Sequence, residues 1–332
     1  MMAMVEVVQD PCHHILFRKK VVHPCSLLGM HEHVPVLPGE VMDLLAPAPG
    51  EVVVDATAGL GGHASMFADA IGPDGIVVLI DLDAGNLERA RRRLKDADCT
   101  VHAVHGSFGR IHHHLEDLGL RADVVLADLG FASSQMDDPD RGMGFRKDGL
   151  LDMRFDQSRG QTAAELLATC SEEELIEIIG TLGEEPLAAR IAQKVVLERA
   201  QRPIEMTGQL ARLVRDAYGR RAATSRLDPA TRTFMGLRIA VNDELAALEA
   251  FLAAIARGAE ATASGGWLKP GARAGIISFH SLEDRPVKHA FADLSRRTLA
   301  TLVTRRPVTA SEAEQQENRR SRSAKLRVIA LS

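Results

Sequence analysis

The first residues whose types and spacing suggest chemistry lie in a glycine-rich turn between two apolar segments. Asp55 ends the run VVVD, the glycines of DATAGLGGH (55–63) follow at once, and Asp81 closes the next apolar run. Glycines allow the backbone to approach a ligand closely, and an acid about twenty residues further on can accept hydrogen bonds from ribose hydroxyls. The layout predicts a site for a cofactor that contains a nucleoside.

The acid in front of the glycines favours one class of cofactor. A dinucleotide site carries G-x-G-x-x-G opening directly into a helix, so that the pyrophosphate meets the helix N-terminus. Asp55 would repel a pyrophosphate, whereas it would attract a sulfonium and an ammonium group. We therefore predict S-adenosylmethionine rather than NAD. An NAD-dependent oxidoreductase and an ordinary strand-to-helix turn are the alternatives.

Two further segments place acids, histidine and arginines beyond the ends of apolar strands. They are DLGFASSQMDDPDRGMGFRKDGLLDMRFD (128–156) and SFHSLEDRPVK (278–288). Asp128 and His280 then fall at the edge of a parallel sheet where ligands bind. A solvated charged loop is the alternative for the first segment. The second also fits a helix N-cap formed by Ser281 with Asp284, and both interpretations of it can hold together.

Basic residues cluster near the C-terminus of a chain whose formal net charge is −5. Arginine side chains and serine hydroxyls bind phosphate, so this stretch is where a nucleic-acid backbone would lie. A solvated basic tail is the alternative. The cluster consists of Arg319, Arg320, Arg322, Lys325 and Arg327.

An alternation of strands and helices must position these residues. Strands are predicted at 52–55, 75–81, 100–105, 122–128 and 272–279, with helices at 65–71, 86–94 and 111–118. Such alternation indicates an α/β fold with a parallel, Rossmann-like sheet and right-handed crossovers. Between the fourth and fifth strands the periodicity is helical. The helices predicted there are 162–167, 172–179, 186–200, 207–217 and 231–252.

This pattern divides the chain into three parts. Residues 1–30 are expected to be a disordered N-terminal extension. Residues 31–139 and 243–332 are expected to form the α/β core with the basic C-terminal tail. Residues 140–242 are expected to be an inserted helical domain that recognises the substrate.

Composition excludes some classes of protein. The chain has 332 residues, of which 45% are apolar, enough for one or two domains. It has no run of about eighteen apolar residues, so no membrane span is expected, and its N-terminus lacks the apolar region of a secretory signal. Four scattered cysteines suit the reducing cytoplasm. The cysteine and histidine spacings match no zinc finger, and no metal is expected.

Taken together and in order, the motifs resemble one family, the bacterial small-subunit ribosomal RNA cytosine-N4 methyltransferases known as RsmH or MraW. The resemblance runs from about residue 31 to the end. The matching pieces are HVPVLPGEV (33–41), DATAGLGGH (55–63), IDLD (80–83), HGSF (105–108), DLGFASSQMDDPDRGMGF (128–145), DGLLDMRFD (148–156), GEEPLAARIA (183–192), TRTFMGLRIAVNDEL (231–245), SFHSLEDRPVK (278–288) and NRRSRSAKLR (318–327).

The resemblance implies transfer of a methyl group from S-adenosylmethionine to the exocyclic N4 of a cytidine in the decoding region of 16S rRNA. It implies a class I methyltransferase core with a helical insert. The substrate is the rRNA in the small subunit or in a late assembly intermediate, and a homodimer stays open. The cofactor contacts carried over by motif are Gly61, Gly62, His63, Asp81, Phe108, Asp128 and Gln135.

This chain departs from the family pattern in several places. It has alanine and serine at Ala132 and Ser134, leucine at Leu150, methionine at Met235 and arginine at Arg319. These departures concern the substrate pocket more than the cofactor site. They keep open a non-catalytic protein that binds S-adenosylmethionine and RNA during assembly, or a methyltransferase acting on another base.

The transfer itself needs an acceptor for the N–H groups of the target amine, which is a poor nucleophile. Asp128 is the first candidate, followed by Asp148, Asp152 and His280. The target base must leave its stack to enter the pocket, where Phe131 is a candidate stacking partner. The candidates for contacts with RNA phosphates are Arg141, Arg154, Arg285, Arg320, Arg322 and Lys325.

Overall fold

A seven-stranded sheet carries the site. Its strands are β1 (Val52–Asp55), β2 (Ile76–Asp81), β3 (Thr100–His105), β4 (Ala122–Asp128), β5 (Leu268–Ser278), β6 (Ala300–Leu302) and β7 (Lys325–Leu331). They lie in the order β3-β2-β1-β4-β5-β7-β6, and only β7 runs antiparallel to its neighbours. The carboxyl ends of β1, β2 and β4 therefore meet at one edge, as the alternation predicted.

The computed structural model describes residues 34–225 and 227–332, so the expected extension over residues 1–30 lies outside the described part. None of the helices in the described part is both long and apolar enough to cross a membrane. The α-helices there are α1 (Pro38–Leu45), α2 (Gly62–Ile71), α3 (Ala84–Arg93), α4 (Ile111–Asp117), α5 (Ser133–Asp137), α6 (Ala163–Thr169), α7 (Glu172–Glu177), α8 (Ala188–Arg199), α9 (Thr207–Tyr218), α10 (Ala230–Val241), α11 (Glu244–Glu260), α12 (Ser281–Arg296) and α13 (Glu312–Glu317).

Helices cover both faces of the sheet. Apolar side chains of α1, α2 and α3 pack on one face, and those of α4, α11 and α12 pack on the other. All four residues of β1 are buried, as expected for a strand with helices on both sides. Because these Val-rich runs are buried, the positions at which the strands end are fixed, and so are the positions of the acids at those ends.

The helices α6 to α10, between β4 and β5, share a hydrophobic core of their own. Leu210, Val214 and Leu237 are fully buried in it. The role of this segment in substrate recognition stays a prediction.

The single helix predicted over 231–252 is wrong, because the structure divides it into α10 and α11. Asp243 at the break has φ of 50°, a left-handed conformation that ends a helix. The Asn242 side chain secures the break by donating to the carbonyls of Arg238 (2.9 Å) and Met153 (2.8 Å). Helical periodicity continues in phase across these residues, and so the pattern concealed the break.

The C-terminal stretch is not a tail. Residues 325–331 form β7, which pairs with β5 on one side and β6 on the other. Arg327 in this strand is largely buried and donates two hydrogen bonds to Asp284 of α12, at 2.7 and 3.2 Å. The sequence pattern missed the strand because a charged residue in a buried strand is acceptable only when a partner far along the chain neutralises it.

Candidate functional site

A cavity lies beyond the carboxyl ends of β1, β2 and β4, and we call it the first cavity. Backbone and side chains from four loops line it, including residues of both the glycine turn and the loop after β4. Its polar and aromatic lining includes Thr57, His63, Asp81, Asn86, Phe108, Asp128, Gln135, Asn242, Glu244, Glu283 and Arg320.

The glycine turn brings backbone close to the first cavity. Gly59 and Gly62 line it, and a side chain at Gly62 would lie 3.2 Å from Pro35. Gly61 instead faces away from the lining: its φ is 76°, and a Cβ there would lie 3.0 Å from Cα of Ala90 in α3. Gly61 therefore allows α2 and α3 to pack closely, and its predicted cofactor contact stays a prediction.

Asp81 is held rigidly at the end of β2. Its two carboxylate oxygens accept from the backbone N–H groups of Gly59 and Asp83, each at 2.7 Å. Burial raises the pKa of Asp81 to about 6, although these two hydrogen bonds oppose the shift. Each oxygen keeps a lone pair for a further donor, such as a ribose hydroxyl.

Two more acids stand at the ends of β1 and β4. Burial raises the pKa of both Asp55 and Asp128 to about 7, and the charge of Asp128 adds to the shift of Asp55. Asp55 is buried behind the turn and accepts from the N–H of Thr57 at 3.3 Å. The Thr57 hydroxyl in turn accepts from the N–H of Asp128 at 2.6 Å, which joins the tips of β1 and β4.

The two carboxylate oxygens of Asp128 have different surroundings. Among the described residues, no group hydrogen-bonds to its buried Oδ1, while Oδ2 lies 4.0 Å from Nδ1 of His63. Burial lowers the pKa of His63 to about 4, so its ring is neutral at pH 7. Its Nε2 lies 2.9 Å from the carbonyl of Val36, which leaves Nδ1 without a proton toward Asp128. A buried carboxylate oxygen without a donor is expected to find one on a ligand.

These features fit a positively charged ligand that carries a nucleoside. Three largely buried acids gather beside a glycine turn, where their carboxylates would repel a pyrophosphate and the neutral His63 offers it no positive charge. Phe108 adds an aromatic wall and is fixed edge-on against Phe251, with 5.5 Å between ring centroids.

The predicted cofactor residue Gln135 is joined to the strand ends through Asp83. Its Nε2 donates to Oδ2 of Asp83 at 2.7 Å, and its Oε1 accepts from the N–H of Ala132 at 2.8 Å. Nη2 of Arg141 lies 2.6 Å from the same Asp83 oxygen and also donates to the carbonyls of Arg154 and Phe155. Arg141, a candidate for RNA phosphate, therefore holds the loop after β4 in place.

A second cavity shares a wall with the first. Leu129, Gly130, Phe131, Glu283 and Arg320 line both of them. The rest of the second cavity is mainly apolar and includes Met136, Met143, Phe145, Phe234, Met235 and Phe279. An apolar, aromatic-lined space with a few polar groups suits a planar base.

His280 lines the second cavity, as expected for a residue that faces the substrate. Its Nε2 lies 3.1 Å from Oε1 of Glu283 but lacks hydrogen-bond alignment, and Nδ1 has no hydrogen-bond partner in the described part of the chain. The predicted Ser281 cap is wrong: His280 is the N-cap residue of α12, and the Ser281 hydroxyl donates to Glu184. Glu283, rather than Asp284, reaches back to the N–H of Phe279.

Asp148 and Asp152, two further catalytic candidates, line neither cavity. Asp148 accepts from the N–H of Gly208 at 2.8 Å, at the N-terminus of α9. Asp152 accepts two hydrogen bonds from the guanidinium of Arg154, at 2.8 and 2.9 Å. Arg154, a candidate for contact with RNA phosphates, is therefore paired with an acid of its own chain. A catalytic role for either acid stays an untested prediction.

The remaining basic candidates divide into two that are partly buried and two that are exposed. Arg320 donates to the carbonyl of Phe131 in the wall between the cavities. Lys325 lies 3.7 Å from Asp284. Arg285 and Arg322 are exposed on α12 and before β7, where they are accessible to a large anionic partner.

Sequence patterns missed several residues of the site. Thr57, Arg238, Asn242 and Glu244 belong to motifs that were recognised, but nothing in their spacing signals a role. Their positions depend on contacts between α10, α11, α12 and the strand ends.

Comparisons with known proteins agree with the resemblance. Residues 30–332 match the family model described as the MraW methylase family. A protein named ribosomal RNA small subunit methyltransferase H from Trichlorobacter lovleyi is 43% identical over 311 residues, which is 89% of this chain and 96% of that protein. A protein of the same name from Acaryochloris marina is 44% identical over 303 residues, covering 90% of this chain and 94% of the relative.

Proposed function

The chain belongs to the MraW methylase family, and on that premise we propose that it methylates small-subunit ribosomal RNA with S-adenosylmethionine as the donor. The target we propose is the exocyclic N4 of a cytidine in the decoding region of 16S rRNA. The observation that carries the proposal is that an acid-rich cavity and an apolar cavity are adjacent and share lining residues. Two different ligands bound in them would therefore lie next to each other.

The first cavity supplies what S-adenosylmethionine requires. This ligand provides an electrophilic methyl group on a sulfonium, and its amino-acid part carries an ammonium. Asp81 can accept from the ribose hydroxyls, while Asp128 offers negative charge and an oxygen to which no group among the described residues hydrogen-bonds. Gly59 and Gly62 leave room for the ligand beside the backbone.

Asp128 is the residue we propose to accept the N–H of the target amine. Its pKa of about 7 is suited to accepting a proton near neutral pH, since a general base works best when its pKa lies near the working pH. Bound S-adenosylmethionine would supply the methyl group: the amine nitrogen would form a bond to the methyl carbon as the bond from that carbon to sulfur breaks. The surplus proton on nitrogen passes to the carboxylate. The neighbouring Arg320 favours the ionised form that accepts it.

The second cavity receives the base once it has left its stack. Its aromatic and methionine side chains offer the apolar contact that an unstacked base loses in leaving the RNA. A uracil would present a carbonyl oxygen where cytosine presents its amino group. That oxygen would face the Asp128 carboxylate, and such a pairing of two acceptors is unfavourable.

The proposal is tested by incubating the pure protein with labelled S-adenosylmethionine and small ribosomal subunits that lack the modification. The RNA is then digested and the methylated nucleoside identified by mass spectrometry. We expect N4-methylcytidine at one position. Bound S-adenosylmethionine without transfer would favour the alternative of a non-catalytic assembly protein, and label on another base would contradict the N4 assignment.

A further inference from the structure

Arg238 connects the two cavities through a buried ion pair. Its Nε and Nη2 donate to the two carboxylate oxygens of Glu244, at 2.8 and 3.0 Å. Only about a tenth of each side chain is exposed. Arg238 lines the second cavity and Glu244 lines the first, so the pair extends through the wall between them.

The same guanidinium lies over the face of Phe131. The distance from Arg238 Cζ to the ring centroid is 4.5 Å, well inside the range of a cation–π contact. Phe131 lines both cavities and is only partly buried. Its backbone is fixed as well, because its carbonyl accepts from Arg320.

We propose that Arg238 is a positioning residue that, held by Glu244, fixes the Phe131 ring as the stacking surface for the target base. This inference rests on the proposed function, because it concerns the base that enters the second cavity. It assigns a purpose to the motif TRTFMGLRIAVNDEL (231–245), whose helix break brings Arg238 and Glu244 together.

The geometry requires an arginine. A planar guanidinium can present its N–H edge to a carboxylate and its flat face to an aromatic ring at the same time, which an ammonium group cannot do. The ion pair also limits the rotation of the arginine about its own side-chain bonds, so the ring beneath it has one stable position. A preset ring loses less entropy when a base stacks on it.

A double-mutant cycle tests the inference. The variants are Phe131→Leu, the neutral pair Arg238→Gln with Glu244→Gln, and all three changes together. The neutral pair avoids leaving a buried charge unpaired, which would threaten folding. For each variant we would measure kcat and KM for the RNA, and the Kd for S-adenosylmethionine by calorimetry. Arg257→Gln, an exposed arginine on α11, is the control.

We expect Phe131→Leu and the neutral pair each to lower kcat/KM for RNA by about tenfold, the scale of one base–aromatic stack. We expect the triple variant to lose no more kcat/KM than Phe131→Leu or the neutral pair alone, because each of these changes already removes the same stacking surface. Because Phe131 and Glu244 also line the first cavity, kcat/KM for RNA is measured with saturating S-adenosylmethionine, so that a change in cofactor affinity does not enter the comparison. Additive losses under these conditions would overturn the inference.

A second measurement separates this inference from the proposed reaction. Decoding-region RNA fragments carry the fluorescent base pyrrolocytosine at one cytidine position each, and stacking quenches its emission. We expect the wild-type protein to quench one position and the neutral pair to quench it much less. Methyl transfer is measured on matching unmodified fragments, since N4 of pyrrolocytosine belongs to its fused ring and cannot serve as the methyl acceptor. Quenching together with no transfer to the unmodified fragments would support the stacking surface and contradict the proposed reaction. Transfer to them with equal quenching by both proteins, or no quenching at any position, would contradict the stacking surface.

Discussion

Arg141 and Asp83 form a buried ion pair in which Nη2 lies 2.6 Å from Oδ2. Asp83 also caps α3 by accepting from the N–H groups of Gly85 and Asn86. The pair therefore joins the start of α3, beside the first cavity, to the loop that follows β4.

Replacing Arg141 with glutamine should destabilise the protein by about 3–5 kcal/mol, since it leaves a buried carboxylate without its cation. Denaturant titration measures the change in the free energy of unfolding. Arg91→Gln is the matched control, because Arg91 pairs with Glu88 on the exposed surface of α3 and should contribute little. Equal stability of both variants would show that the loop is held by other contacts.

Replacing Asp128 with asparagine should lower kcat by a factor of about 10²–10⁴, the usual contribution of a positioned general base. The amide keeps the shape of the side chain but cannot take up the proton. Single-turnover assays with saturating cofactor measure this step. Asp117→Asn, at the exposed end of α4, should retain wild-type rates. Full activity in Asp128→Asn would exclude this carboxylate as the acceptor.

Cofactor binding should become tighter as the pH rises from 5.5 to 8. Burial raises the pKa of Asp81 to about 6 and that of Asp55 and Asp128 to about 7, so protons must leave before these groups attract a cation. In the ligand-free protein these acids make stability, unlike cofactor affinity, decrease with rising pH. The folded state holds these protons more tightly than the unfolded chain, so this contribution to the free energy of unfolding falls as the pH rises from 4 to 7.

Calorimetric titrations at several pH values measure this effect. The affinity for S-adenosylmethionine should rise by about tenfold or more over the range, as expected when binding releases a proton. S-adenosylhomocysteine, which lacks the sulfonium charge, is the matched ligand and should show a shallower dependence. Identical profiles for the two ligands would mean that the acids do not respond to the sulfonium.

Gly61→Ala should destabilise the protein by about 2–5 kcal/mol, because it adds a steric clash to an unfavourable positive φ. A Cβ at this position meets α3 at 3.0 Å. Gly265→Ala is the control: its φ of 89° and ψ of 24° are close to the 76° and 23° of Gly61, but no atom outside its neighbours lies within 4 Å of a new Cβ. It should therefore report the backbone strain alone. Thermal melts with and without cofactor measure both, and equal losses would mean that α2 and α3 tolerate the methyl group.

Arg285→Gln should weaken RNA binding and reduce its dependence on salt by about 0.7–0.9 in the slope of log K against log salt, the contribution of one phosphate contact. Binding isotherms at several salt concentrations measure the slope. Arg296→Gln, at the opposite end of α12 and also exposed, should leave the slope unchanged. A similar loss in both variants would indicate only a general effect of net charge.

The sequence allowed the strands to be predicted well where apolar runs end in an acid. β1, β3 and β4 have the predicted bounds. For β1 and β4 the reason is that strands covered on both faces leave an uninterrupted apolar signal, whereas β3 lies at the edge of the sheet and has no buried residue. β6 and β7 were missed for the opposite reason. β6 has three residues, and β7 carries Arg327, whose burial depends on Asp284.

The candidate site was predictable in its location but not in its connections. The edge of the sheet follows from the topology, so Asp81 and Asp128 are found where the pattern put them. The partners of Arg141 and Arg154 were not predictable. A charge pattern shows which side chains need a counter-ion, but it does not show which counter-ion each of them contacts in the fold. The Asp83–Arg141 pair joins two loops that are far apart in the chain, and the Arg238–Glu244 pair depends on the break between α10 and α11. Asp152 pairs locally with Arg154, where the pattern left both side chains as separate candidates.

The pairing of β4 with β5 has a consequence for how the protein folds. Asp128 lies beside Ile277 in the sheet, although all of α5 to α11 intervene along the chain. Closing so long a loop is entropically costly while the loop is disordered, and contacts distant in sequence slow folding. The core shared by α6 to α10 is built from residues near one another in the chain, so it can form first and shorten the distance to be bridged. We expect the sheet edge that carries Asp128 and His280 to be among the last parts completed.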